Sequence, residues 1–124
     1  MRDIKYRGVD IKTGEMVFGG GIDSQRDTPI IINHGERYFV DAKTVGQYTG
    51  LKDKNSVEIY EGDIIHNSNF TDDCNHMVDM IEDIGQWFMI DTKDGYAEPL
   101  CDWLDSSEII GNIHQNPELL EGKK

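Results

Sequence analysis

The stretch Asp72-Asp73-Cys74-Asn75-His76 sets metal-ligand types side by side, so it is where coordination chemistry would first be sought. Calcium sites draw on alternating oxygen donors around a glycine turn with a glutamate further on, and zinc sites on a second pair such as Cys-x-x-Cys. The sequence offers neither, and the stretch reads as an exposed polar loop with at most adventitious affinity for metal. Gly19-Gly20-Gly21 invites comparison with a phosphate cradle, but no Gly-Lys-Ser/Thr comes after it. These glycines read instead as an interruption of a strand or a connector. A thiol–imidazole pair would require His34, His66, His76 or His114 to lie against Cys74 or Cys101 with an orienting carboxylate. The histidines are scattered through turns and loops and read as surface residues. With no nucleophile–base–orienter pattern and no cofactor loop, the expectation is a protein that is not an enzyme and holds no metal or cofactor.

The block Gln47 to Ile65 carries a different kind of signal, centred on Tyr48, Gly50, Tyr60, Gly62 and Asp63. As architecture, the glycines occupy backbone positions closed to other residues, Asp63 accepts amide hydrogens in a turn, and the tyrosines are packed with their hydroxyls satisfied. As a site, an aromatic pair beside a bulge lines a groove for a peptide or an unstacked base. The architectural reading is the one adopted.

The elements that must position these residues are short strands. Ile4 to Val9 alternates as a half-buried strand does, Lys12-Thr13-Gly14 turns, and Glu15-Met16-Val17-Phe18 returns. Ile30-Ile31-Ile32 and Glu36 to Val40 form a second hairpin about Asn33-His34-Gly35. Val57-Glu58-Ile59-Tyr60 comes after the turn-prone Lys52-Asp53-Lys54-Asn55, with Val57 and Ile59 on one face. Gly62-Asp63 bends the chain into Ile64-Ile65, and residues 66–76 read as a loop. Met77 to Ile81 and Gln86 to Ile90 are strands, the latter joined through Asp94-Gly95 to Tyr96-Ala97. Pro99 is suited to open a short helix over Leu100 to Leu104, Ile109 to Ile113 is a strand, and Asn116 caps a helical turn begun by Pro117. Trp87 and Trp103 are the expected core anchors. The fold class is therefore mainly β, a β-rich α+β arrangement of antiparallel hairpins in a coiled or partly SH3-like sheet, with one or two short helices near the C-terminus.

A length of 124 residues suits one domain spanning 1–124 with a single modest core. No apolar run is long enough to cross a bilayer as a helix, and Met1-Arg2-Asp3 leads into a charged segment, so no membrane association and a cytoplasmic location are expected. Two cysteines are too few for a disulfide framework and read as free thiols. Charge is divided unevenly. Residues 1–54 hold nine Lys/Arg against eight Asp/Glu, whereas after Lys54 three lysines face sixteen acids, within a net charge of −12. Such a field opposes phosphate binding, which gains its affinity from Lys and Arg displacing counterions.

Three separated blocks carry a family likeness: Tyr48-Thr49-Gly50-Leu51-Lys52-Asp53, Ile59-Tyr60-Glu61-Gly62-Asp63-Ile64-Ile65, and Ile110-Gly111-Asn112-Ile113 with Asn116-Pro117-Glu118-Leu119-Leu120. Together with the opening Ile4-Lys5-Tyr6-Arg7 they resemble the YopX family of phage and prophage proteins over nearly the whole chain. The resemblance adds Gly111 and Asn112 to the motif residues. It implies a small β-rich protein encoded on a phage or prophage and residing in the bacterial host cytoplasm, and it supplies no catalytic residue.

These features support three functional readings. The first is a non-enzymatic module that self-associates as a homo-oligomer or binds a host or phage protein through sheet edges and divided charge. The second is an acidic inhibitor or mimic occupying the basic groove of a host nucleic-acid-binding protein. The third is an SH3-like nucleic-acid binder using Arg2, Lys5, Arg7, Lys43, Lys52 and Lys54 with Tyr48 or Tyr60 stacking, which the overall charge disfavours.

Overall fold

The computed structural model describes residues 4–24, 27–69, 75–81, 85–91 and 95–120. They gather into two compact units, Met1–Gly50 and Leu51–Lys124. Both are built of antiparallel strands, and the helical content is confined to 3₁₀ turns.

In the first unit β1 (Tyr6–Val9) and β2 (Met16–Gly19) form a hairpin in register Tyr6↔Gly19 to Val9↔Met16. The turn between them closes because Asp10 Oδ1 accepts the amide of Lys12 at 2.8 Å while the Asp10 carbonyl accepts Gly14 N at 2.8 Å. Next come β3 (Gly21–Asp23), β4 (Ile30–Asn33) and β5 (Glu36–Phe39), paired in that order. Gly20 alone separates β2 from β3, so the glycine triplet is a strand interruption. Its first member has a packing reason that no turn rule conveys: a Cβ on Gly19 would run into the carbonyl oxygen of Ile32 and lie 2.9 Å from Ile31 Cγ2. Beyond β5 the chain pairs at Val40 with Asp10, enters a 3₁₀ turn at Ala42–Thr44, and continues as β6 (Gly46–Lys52), which pairs with β1. Thr44 ties the turn to β1, its Oγ1 accepting Val9 N at 2.8 Å and donating to the Asp41 carbonyl at 2.6 Å. Ile30, Ile31, Val40 and Tyr48 are buried in this unit.

The end of β6 leads into the second unit through a turn to β7 (Glu58–Tyr60), closed by Asp53 N donating to the Val57 carbonyl at 2.9 Å. After it come β8 (Asp63–Asn67), β9 (His76–Ile81), β10 (Gln86–Asp91), β11 (Ala97–Pro99) and β12 (Ser107–Asn112). Their order in the sheet is β11-β10-β9-β8-β12. The consecutive hairpins of β8 to β11 leave two edges open, and the last strand crosses back to the one formed by β8. Ile59, Ile65, Val78, Met89 and Leu100 form the buried core, with Leu51, Trp87, Trp103, Leu104 and Ile109 packed against it. Both tryptophans, expected as core anchors, are partly buried and pack against this cluster without belonging to it.

Several local expectations are corrected. The proposed helix over Leu100 to Leu104 is two 3₁₀ turns, Leu100–Asp102 and Leu104–Ser106, with Trp103 between them at φ −127°. Pro99 ends β11 instead of opening a helix. Val57 does not share a buried face with Ile59: it precedes β7 and is exposed, whereas Ile59 and Tyr60 are both buried. His66 and Asn67 belong to β8 and not to a loop. Asn67 is buried because its side chain donates to Ser107 Oγ at 2.8 Å and accepts Asn69 N at 2.8 Å. The Asp72-Asp73-Cys74 part of the mixed-ligand stretch lies outside the described residues. Among the described residues no three His, Cys, Asp or Glu side chains gather where they could hold a metal, and no helix is long and apolar enough to cross a membrane.

Candidate functional site

The motif residues divide between the units. Tyr48 and Gly50 lie on β6 in the first, whereas Tyr60, Gly62, Asp63, Gly111 and Asn112 lie in the second.

In the second unit the fold brings its five together. Tyr60 ends β7, and two residues later Gly62 turns the chain with φ +90°, a region that a side chain rarely adopts. The turn is held from inside, since the backbone amide of Tyr60 donates to Asp63 Oδ2 at 2.7 Å and Asp63 is almost fully buried. It is also held from both sides: Gly62 N donates to the Val78 carbonyl at 2.8 Å, and Ile113 N donates to the Gly62 carbonyl at 2.9 Å. A charge-assisted bond to a buried amide is among the stronger polar contacts a fold can make.

Asn112 stands opposite Asp63 in the β8–β12 register, and Gly111 opposite Ile64. Between Ile109 and Gly111 the register shifts, so Ile110 is the extra residue of a bulge and is exposed. Asn112 organises the turn that leaves β12. Its Oδ1 accepts the amides of His114 at 3.0 Å and Gln115 at 2.9 Å, while its Nδ2 donates to Gln115 Oε1 at 2.9 Å. Asn116 answers by accepting Asn112 N on Oδ1 at 3.2 Å. The asparagine expected to cap the Pro117–Leu120 turn therefore turns its side chain back toward β12, and its backbone carbonyl receives Leu119 N at 3.0 Å. Gly111 is required by this packing, because a Cβ there would stand 2.7 Å from Asn116 Oδ1 and 2.9 Å from Leu119 Cδ1. Asn75 joins from the approach to β9 by donating its Nδ2 to the Leu119 carbonyl at 2.8 Å.

In the first unit Tyr48 is 6% exposed, with Lys5 Nζ 5.4 Å from its ring centroid and its backbone amide donating to the Lys5 carbonyl at 2.9 Å. Tyr60 is 3% exposed, and its hydroxyl lies 3.4 Å from Glu58 Oε1. Burial of both rings leaves little aromatic face for a base or peptide to stack on. Gly50 has φ +86° in open space.

One residue of the same kind was not singled out in the sequence. Asp53 is 6% exposed and distributes three bonds: Oδ1 accepts Asn55 N at 2.8 Å and Val57 N at 3.0 Å, and Oδ2 accepts Ile109 N at 3.0 Å. Its turn chemistry was legible, since aspartate with Asn55 two positions on favours such a loop. Its bond to β12 had no local signature. Chemically, Asp53, Asp63 and Asn112 act as acceptors for backbone amides, a role that holds loops in one conformation.

Comparison with known proteins bears on the whole chain. The family described as "YopX protein" matches residues 5–121. A crystal structure described as protein EF1440 from Enterococcus faecalis is similar at 25% sequence identity with a TM-score of 0.56, covering 98% of this chain and 100% of that one. No curated protein matches.

Proposed function

The chain belongs to the YopX family, and from that premise we propose that it is a phage- or prophage-encoded, non-enzymatic module that works by contact with protein, self-association included. The observation that carries this reading is the edge of the first unit's three-stranded sheet. Over residues 36–38, β5 has β4 on one side and, among the described residues, no strand on the other. An open row of amides and carbonyls is a template for a further strand, and a second copy supplies one at no cost in new sequence. Beside it Phe39 and Ile11 are 43% and 57% exposed and joined by Ile11 N donating to the Phe39 carbonyl at 2.9 Å. Such apolar surface next to an edge supports association. Absence of catalysis is supported by the motif residues themselves, whose acceptor atoms hold turns.

Size-exclusion chromatography with light scattering at low and high salt tests the reading. The expected result is a mass above that of one 14.1 kDa chain in at least one condition. A strictly monomeric species in both removes self-association.

A further inference from the structure

We draw no further inference here: the strongest candidate, the exposed apolar pair Phe39 and Ile11 beside the β5 edge of the first unit, belongs to the contact already proposed, and nothing in the structure shows what covers it.

Discussion

The carboxylate of Asp53 accepts the backbone amide of Ile109 at 3.0 Å across 56 positions of sequence. With its other oxygen holding the amides of Asn55 and Val57, one side chain fastens the turn after β6 to the strand at the sheet's far edge. The neighbouring Lys54 N adds a bond of 3.0 Å to the Ser107 carbonyl. Asp53→Ala leaves three amides without this acceptor and should lower stability by about 3 kcal/mol, read as a lower urea midpoint with unchanged slope. Asp53→Asn, which keeps an acceptor oxygen, should lose less. Equal losses would mean that the loop re-forms around water.

Asp63→Ala removes the acceptor for the Tyr60 amide inside the Gly62 turn. The loss should be about 2 kcal/mol, because a buried donor is stranded, and hydrogen exchange at Tyr60 should accelerate more than at Met89 in the core. Uniform acceleration at both positions would show that the turn does not open on its own.

Two glycines with different reasons to be glycine should respond differently to alanine. Gly50 has a positive φ with nothing near its missing Cβ, so Gly50→Ala should cost about 1–2 kcal/mol and displace no neighbour. At Gly111 the added carbon meets Asn116 and Leu119, so Gly111→Ala should cost more and shift the amide resonances of Asn112, Asn116 and Leu119. Unmoved resonances there would mean that the asparagine bracket yields without consequence.

Core and bulge give a second contrast. Val78 and Met89 are fully buried, and truncating either to alanine should cost about 2–5 kcal/mol. Ile110 is the exposed residue of the bulge, so Ile110→Ala should stay within about 0.5 kcal/mol. A large loss at Ile110 would point to a covering surface supplied by another chain.

Association should depend on the edge. Phe39→Lys places a charge where β5 ends and should reduce the mass seen by light scattering while leaving the thermal midpoint unchanged to within a few degrees. Loss of stability alongside loss of mass would transfer Phe39 from the surface to the core.

Strand placement was largely legible because its signals are local. Alternation in Tyr6–Val9 and the β-branched run of residues 30–32 are strand patterns, and Asn33-His34-Gly35 needs positive φ at two positions, found at 51° for His34 and 84° for Gly35. Short helical stretches were less legible. Pro99-Leu100 carries the same preferences whether a full helix or a 3₁₀ turn comes next, and the choice fell to Trp103, which packs against the core and leaves helical geometry. Alternation also misled at Val57, since the Asp53 clamp, not the face of the strand, decides where β7 begins.

By itself the sequence determined most of the strands, the family, and several of the glycines and aspartates that sit in turns, for those depend on backbone sterics and short-range hydrogen bonding. Tertiary structure decided that β12 returns to the free side of β8, and that Asp53 meets Ile109 and Asn116 meets Asn112. These are outcomes of packing distant segments against one another. A residue's type says that it can accept a hydrogen bond from an amide, and only the folded chain says which amide comes within reach.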